Sequence, residues 1–213
     1  MRKNERYKKV VENLENYFPQ ATTELYYENT FQLLVAVILS AQCTDKRVNI
    51  ITPNLFKKYP IPEDMAKADI EEIFQYIKSI SYPNSKAKYL SQMSKRLVET
   101  YHSVVPSDVK ELQTLSGVGR KTANVIASVV FHQAKMPVDT HVHRVSRRIG
   151  LTIKAKTVLQ TEEQLMNNLK EKDIALIHHQ LILLGRYICK ARKPECDKCP
   201  LIDCCKYYQS KKS

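Results

Sequence analysis

Apolar residues recur at helical rather than alternating spacing along most of this 213-residue chain. The pattern is densest at residues 31–39, where apolar side chains occupy every face and predict a helix buried on all sides. Few β-branched clusters lie between paired turn residues, as strands would require. The spacing therefore predicts an all-α fold, and a hydrophobic content of 43% is enough for a core without disulfides.

The charge balance indicates a polyanionic partner. Thirty-four Lys and Arg against 22 Asp and Glu give a net charge of +12, which favours nucleic acid or an acidic membrane face. With only four glycines, neither GxGxxG nor GxxxxGK[ST] can be written, so we expect no nucleotide cofactor. The longest apolar run covers residues 33–39 and no apolar stretch follows the charged N-terminus, so we expect no membrane span, no secretory signal and a cytoplasmic location.

Proline and turn residues divide the rest of the chain into short helices. Helices are predicted at about 69–78 and 85–101, after breaks at the prolines and at Tyr82-Pro83-Asn84. Because no Ser/Gly-rich linker or internal repeat occurs, any two parts of the molecule would be closely packed helical lobes. Residues 207–213 are expected to form a frayed basic tail.

Two of the four glycines lie in Leu115-Ser116-Gly117-Val118-Gly119-Arg120-Lys121. A short helix precedes this segment and apolar residues at helical spacing follow it, which predicts a helix, a tight hairpin and a helix. Glycine would let the backbone N–H groups at the second helix's N-terminus approach a phosphate and grip DNA without reading its sequence. The alternative is an ordinary hairpin whose glycines only end a helix, but the basic pair and the net charge favour phosphate binding.

Lys121 and Asp139 have the chemistry for a reaction at a sugar carbon. At the start of the second hairpin helix, the helix dipole and an expected partial burial both disfavour the ammonium form of Lys121, and a neutral amine can attack carbon and form a Schiff base. Asp139 would cap the next helix, where a carboxylate can stabilise positive charge developing on the sugar. On composition alone, a solvated lysine and a plain N-cap are the simpler interpretations.

Five of the six cysteines fall between residues 189 and 205. Four of them are separated by six, two and five residues and can converge on one metal centre: Cys189, Cys196, Cys199 and Cys205. All-cysteine ligation suits a [4Fe–4S] cluster or structural zinc, and the spacing alone leaves both open. Cys204 breaks the spacing and is interpreted as a spectator, while Cys43 is interpreted as a packed thiol.

These motifs together resemble the endonuclease III family of DNA base-excision glycosylase/lyases, in the helix-hairpin-helix superfamily. The resemblance rests on residues 115–127, Val138-Asp139-Thr140-His141, Ser40-Ala41-Gln42 and the late cysteines, in matching order. It implies a helical barrel domain with the hairpin at residues 22–132. Residues 1–21 and 133–213 would then form an iron–sulfur domain, and the four cysteines would hold a [4Fe–4S] cluster rather than zinc.

The resemblance also implies roles for individual residues. The residue matching Lys121 forms the covalent DNA intermediate and the one matching Asp139 assists, with the family's spacing kept. Because related adenine glycosylases lack the lysine, its presence favours a bifunctional enzyme that removes oxidised pyrimidines through a Schiff base and cleaves 3′ of the abasic site by β-elimination. We expect a nucleoid-associated monomer that binds double-stranded DNA containing damaged bases or abasic sites. The expected DNA contacts are Gln42, Tyr82, Gly117, Val118, Gly119, Arg120, His141, Lys190, Arg192 and Lys193.

The chain departs from the family pattern at two places. Ser81-Tyr82-Pro83 stands where Gly-Leu-Tyr is typical, so Tyr82 would be the wedge that fills the gap of a flipped base together with Gln42. Ser116 replaces the usual proline, which should affect hairpin rigidity more than chemistry. The alternatives are a mismatch-directed glycosylase with weak lyase activity, a non-catalytic helix-hairpin-helix DNA-binding protein, and an electron carrier that uses the cluster.

Overall fold

The computed structural model describes residues 1–212, which contain helices and turns but no β-strand. The all-α prediction is confirmed. No helix in this range is both long and apolar enough to span a membrane. The α-helices of the described residues are α1 (Lys3–Tyr17), α2 (Thr30–Ser40), α3 (Asp45–Lys58), α4 (Pro62–Lys67), α5 (Ile70–Ile77), α6 (Pro83–Tyr101), α7 (Val109–Leu112), α8 (Arg120–Val129), α9 (Thr140–Ile149), α10 (Val158–Met166), α11 (Glu171–Leu183) and α12 (Lys206–Lys212). A π-helical turn (Leu184–Ile188) follows α11, and 3-10 turns (Cys196–Lys198 and Ile202–Cys204) lie among the late cysteines.

The chain forms two compact units. The inserted unit is Glu24–Phe131, and the terminal unit combines Met1–Thr23 with the described residues from His132 onward. Each unit has a hydrophobic core of its own. The division into domains stays a prediction, with one domain at residues 22–132 and the other formed by residues 1–21 and 133–213.

Helix α2 forms the centre of the inserted unit. Its residues 31–39 are all buried, including the polar Gln32, as the apolar side chains on every face predict. Helices α3, α6 and α8 pack against it. Asn29 caps the helix, because its Oδ1 accepts the Gln32 N–H at 3.0 Å. The helix ends at Ser40, so the exposed residues Ala41 and Gln42 follow directly from a buried helix.

Two helix starts differ from the sequence expectation, and both involve proline. Pro62 opens the short helix α4, which the sequence analysis missed, and Pro83 opens α6 two residues before the expected start at 85. Proline fits the first helical position because its fixed φ suits the helix and no N–H is needed there. In both places a proline that was interpreted as a break is the first residue of a helix.

The terminal unit is built around α9 and α11. Helix α11 packs against α1 and α9, and α9 also contacts α10 and α12. The N-terminal helix reaches the cysteine-rich segment, where the Arg6 side chain donates to the Cys204 carbonyl at 3.0 Å. The first and last parts of the chain therefore share one core.

The expectation of a frayed C-terminal tail is wrong for residues 207–212, which belong to α12. The Arg148 guanidinium lies 4.8 Å from the centre of the Tyr207 ring, and the Gln209 side chain donates to the Asp203 carbonyl at 3.0 Å. These contacts with residues outside the helix hold it in place. Ser213, the last residue of the expected tail, lies outside the described residues.

Candidate functional site

The glycine-containing segment has the predicted helix-hairpin-helix structure. Asp108 caps α7 by accepting the N–H groups of Lys110 and Glu111 at 2.8 and 3.0 Å. The buried side chains of Leu115 and Val118 anchor the turn, and the Val118 N–H donates to the Leu115 carbonyl at 3.1 Å. The turn is thus fixed from beneath, and α8 begins directly after it.

The two hairpin glycines serve different purposes. Gly117 has a φ of +79°, and a Cβ there would lie 3.0 Å from the Cβ of Tyr89. Gly119 has an ordinary φ of −87°, and a Cβ there would meet nothing within 4 Å in the described structure. Gly117 is therefore required by the turn and by packing, whereas Gly119 leaves open space at the start of α8.

Lys121 lies in the first turn of α8, where the helix dipole is positive. Its side chain is exposed, so the expected partial burial is wrong for the protein without DNA. The physical reason is that the buried face of α8 starts only at Ala123, beyond the lysine. The neighbouring Arg120 and Gly119 are exposed as well. The beginning of α8 therefore has two positively charged side chains and an exposed glycine at the surface.

Asp139 caps α9 as predicted. Its Oδ1 accepts the Val142 N–H at 2.8 Å, and the residue is half-buried behind the buried Pro137 and Val138. The hydrogen bond fixes the carboxylate at the N-terminus of the helix. The use of this carboxylate in catalysis stays a prediction.

The two histidines of α9 have different partners. The His141 Nδ1 lies 3.3 Å from a guanidinium nitrogen of Arg144, and the His143 Nδ1 lies 2.7 Å from the Thr161 hydroxyl. Burial lowers the pKa of His143, and the charge of Arg147 lowers it further. The contact of His141 with DNA stays a prediction.

The wedge candidates Gln42 and Tyr82 are both exposed, and both have left-handed backbone conformations. Their φ values are 55° and 56°, which costs a non-glycine residue about 1–3 kcal/mol. The Ser81 hydroxyl donates to the Gln42 carbonyl at 2.6 Å and so joins the two loops. The structure brings the two loops together. Insertion of the Gln42 and Tyr82 side chains into DNA stays a prediction.

Lys86, which was not predicted as a site residue, lies beneath these loops. Its ammonium group donates to the carbonyls of Leu39 and Ala41 at 2.8 and 2.7 Å, although the residue is only 4% exposed. Burial lowers the pKa of this amine. A signal was present in the sequence, because Lys86 continues the spacing of the buried apolar stripe of α6, formed by Leu90, Met93 and Leu97.

The four predicted cysteine ligands line one cavity, together with apolar residues such as Ile149, Leu184 and Ile188. Cys204 is instead fully buried, and its thiol donates to the Leu201 carbonyl at 3.4 Å. Cys43 is half-buried against the core of the inserted unit, as expected of a packed thiol.

The chemistry of these donors fits an all-cysteine metal centre. Burial raises the pKa of Cys199 to about 11 and also raises that of Cys205. Thiolates in such surroundings need a positive charge beside them, which a metal supplies. Within residues 1–212, however, no three His, Cys, Asp or Glu side chains form a group that could hold a single metal ion.

The loop between the first two of these cysteines is held by α9. The Arg148 guanidinium donates to the carbonyls of Lys190 and Ala191 at 2.7 and 3.0 Å. The ammonium groups of Lys190 and Lys198 both donate to the Glu195 carboxylate, that of Lys198 at 2.8 Å, and these lysines lower the pKa of Glu195 to about 2. Arg148 was not predicted as a site residue. Arg192 and Lys193 are exposed, and their contact with DNA stays a prediction along with that of Lys190.

Comparison with known proteins decides the family. The family described as "HhH-GPD superfamily base excision DNA repair protein" matches residues 35–171. The chain belongs to the HhH-GPD superfamily.

Within the HhH-GPD superfamily, the chain is similar to endonuclease III. The endonuclease III of Bacillus subtilis (strain 168) is 46% identical over 201 residues, covering 94% of this chain and 92% of that protein. That of Rickettsia conorii (strain ATCC VR-613 / Malish 7) is 49% identical over 200 residues, covering 94% and 95%. A solved structure of a trapped endonuclease III–DNA covalent intermediate, an estranged-adenine complex, is 40% identical, covers 100% of both chains and has a TM-score of 0.93.

Proposed function

We propose that this HhH-GPD protein is a bifunctional DNA glycosylase and AP lyase of base excision repair. It removes oxidised pyrimidines from duplex DNA and cleaves the strand 3′ of the resulting abasic site. The observation that carries the proposal is the position of Lys121, an exposed amine in the first turn of the hairpin's second helix, two residues after the open backbone of Gly119. Similarity to endonuclease III, including a covalent DNA complex, supports it.

The hairpin supplies the grip on the DNA backbone. The first N–H groups of a helix have no acceptor within the helix, and the dipole there favours an anion. Gly119 lets a phosphate come close to these groups, and the positive charge of Arg120 adds to the attraction. A phosphate bound here would hold the strand close to Lys121.

Lys121 supplies the nucleophile. Its Nζ attacks C1′ of an everted nucleotide, and the bond from C1′ to the base breaks, with the electron pair leaving on the base. After the amine loses a proton, the sugar ring opens and a C=N bond forms between C1′ and Nζ. Removal of a C2′ proton then expels the 3′ phosphate, with its electron pair, by β-elimination.

Asp139 supplies negative charge to the sugar. The carboxylate is held at the N-cap of α9, which leaves it oriented when positive charge develops at C1′. The same group can accept or return protons during ring opening and elimination. Since eversion of a damaged base costs less than that of an intact one, part of the selectivity precedes this chemistry.

The four cysteines that line one cavity would hold a [4Fe–4S] cluster. When bound, such a cluster would cross-link its four ligands and offset part of their thiolate charge. Their separations of six, two and five residues match the spacing that the resemblance to endonuclease III implies for an iron–sulfur site, which favours a [4Fe–4S] cluster over zinc. Chemical analysis should find iron and sulfide; stoichiometric zinc without sulfide would refute the assignment.

Incision assays separate this proposal from its rivals. The enzyme should cut duplexes that contain an oxidised pyrimidine or an abasic site, a non-catalytic binding protein should only shift their mobility, and an electron carrier should do neither. A mismatch-directed glycosylase would instead act best on mismatched duplexes and leave abasic strands mostly uncut. We also infer that the protein is a monomer that works at the nucleoid. A measurement of its mass in solution tests the monomeric state.

Substitution of the nucleophile gives the sharper test. Lys121→Gln should abolish the complexes that borohydride traps on abasic-site DNA while leaving DNA binding within a few-fold of the unaltered protein. Lys95→Gln, which alters an exposed lysine of α6, is the control and should trap normally. Trapping that survives Lys121→Gln would exclude this nucleophile.

A further inference from the structure

The loop before helix α6 and the loop after helix α2 both take part in the proposed function, and hydrogen bonds connect them. Tyr82 is the residue before α6, and Gln42 lies in the loop after α2. Both residues have left-handed φ values, a conformation that non-glycine residues adopt only where the surroundings impose it. The hydrogen bonds of one buried lysine reach the backbone beside both residues.

That lysine is Lys86, one turn into α6. Its backbone N–H donates to the Tyr82 carbonyl at 3.1 Å, and its ammonium group donates to the carbonyls of Leu39 and Ala41 at 2.8 and 2.7 Å. The carbonyls of Leu39 and Ala41 lie at the C-terminal end of α2, where the helix dipole attracts a cation. Lys86 therefore contacts both the residue before α6, which is Tyr82, and the backbone just before Gln42.

Burial of this amine is costly, which indicates that its position matters. Lys86 is 4% exposed and occupies a place in the apolar stripe of α6 where leucine or methionine would pack without a charge. Burial lowers the pKa of the amine, as expected for an ammonium group removed from water. A leucine at this place could fill the core but could not hold two carbonyls at once.

A hydrogen bond at the surface supports the same arrangement. The Ser81 hydroxyl donates to the Gln42 carbonyl at 2.6 Å, so the residue before Tyr82 is tied directly to the other wedge candidate. Ser81 belongs to the segment in which this chain departs from the usual family sequence. The two loops are thus joined at the surface by Ser81 and beneath it by Lys86.

We propose that Lys86 is a positioning residue that fixes Gln42 and Tyr82 as one rigid pair, so that both side chains enter the duplex together when the damaged nucleotide leaves it. The inference rests on the proposed function. Rigid placement matters because the pair must fill a gap of fixed size, and loops that moved independently would let the base return to the stack. Lys86 itself touches no reacting atom.

The test compares a step that needs eversion of a paired base with one that does not. Lys86→Met keeps an unbranched side chain, one atom shorter, but removes its donors and its charge. Lys88→Met, at an exposed position of the same helix, is the control. We expect Lys86→Met to lower the single-turnover excision rate on an oxidised pyrimidine at least about tenfold. The rate of strand cleavage at a preformed abasic site should change less than about threefold. This rate is divided by the fraction of protein molecules that borohydride can trap on the DNA.

A fluorescence measurement reads the wedge itself. 2-Aminopurine placed opposite a tetrahydrofuran abasic analogue brightens when it is unstacked, and the rise on binding should fall to less than about half with Lys86→Met. Ser81→Ala, at a surface position that does not endanger folding, should lower the excision rate and the 2-aminopurine fluorescence by smaller amounts. This variant decides the question if Lys86→Met does not fold.

The outcomes separate the two proposals. Equal losses on both substrates, or values for Lys86→Met or Ser81→Ala that match Lys88→Met, would overturn the positioning role. If the unaltered protein neither cuts nor traps abasic-site DNA, the proposed function fails instead.

Discussion

The two hairpin glycines allow stability and DNA binding to be perturbed separately. An alanine at position 117 would have to adopt φ near +79°, which costs a residue with a side chain about 1–2 kcal/mol. Its Cβ would also lie 3.0 Å from the Cβ of Tyr89, and because a shift of a few tenths of an ångström between the turn and α6 relieves this contact, the crowding adds roughly 1 kcal/mol, the lower end for overpacking. Gly117→Ala should therefore destabilise the protein by about 2–3 kcal/mol, or roughly 5–10 °C in Tm.

Gly119→Ala is the matched control for stability and the test for binding. Its φ of −87° suits alanine, and the added methyl group meets nothing within 4 Å in the described structure. Reduced entropy of the unfolded chain, about 0.4–1 kcal/mol, is offset because alanine is a poorer N-cap, so the net change should stay within about 0.5 kcal/mol. The methyl group would nevertheless stand where a phosphate must approach, and affinity for abasic-site duplex should fall about tenfold, or about 1.4 kcal/mol.

Thermal unfolding and equilibrium binding at one fixed salt concentration measure both effects. The expected pattern is a lower Tm for Gly117→Ala, and an unchanged Tm with weaker binding for Gly119→Ala. Equal Tm values for the two variants would refute the conformational reasoning. Unaltered binding by Gly119→Ala would refute the phosphate contact at the start of α8.

Three further predictions concern other parts of the molecule. Asp139→Asn should lower the single-turnover excision rate at least about a hundredfold with little loss of affinity, since it removes the charge and keeps the shape; an unaltered rate would remove its assigned role. Cys199→Ala should lose iron and sulfide whereas Cys204→Ala should keep both, and equal metal content in the two variants would contradict the ligand assignment. Folding lowers the pKa of His179 from 6.5 to about 4, chiefly through burial, so the unfolded chain binds the proton more readily and stability is lost as the pH falls from above 6.5 towards 4. Between pH 7.5 and 5 this loss amounts to about 2 kcal/mol, so denaturant unfolding of His179→Gln should show a smaller loss, and an equal loss would show that His179 does not cause it.

Local signals sufficed where one segment determines its own structure. Helix α2 is apolar on all faces, so its burial followed from the sequence, and Asp108 and Asp139 cap the helices that begin beside them. The hairpin likewise follows from two glycines, a buried valine and a following amphipathic helix.

Features that depend on distant partners could not be predicted in this way. Helix α12 is held by Arg148, which comes from α9, and Lys86 holds carbonyls about 45 positions earlier in the chain. The exposure of Lys121 depends on which face of α8 the core covers, and the hairpin sequence alone does not determine that face. Periodicity therefore located the elements, while the contacts between elements needed the structure.

The central claim is that the amine of Lys121 bonds covalently to the sugar of an abasic site. The most direct measurement is peptide mass spectrometry after the protein has been incubated with abasic-site DNA, reduced with borohydride and digested with nuclease and protease. We predict a sugar-derived mass on the peptide that contains Lys121 and fragment ions that place it on that residue. An adduct on a different lysine, or on the N-terminal amine, would contradict the account.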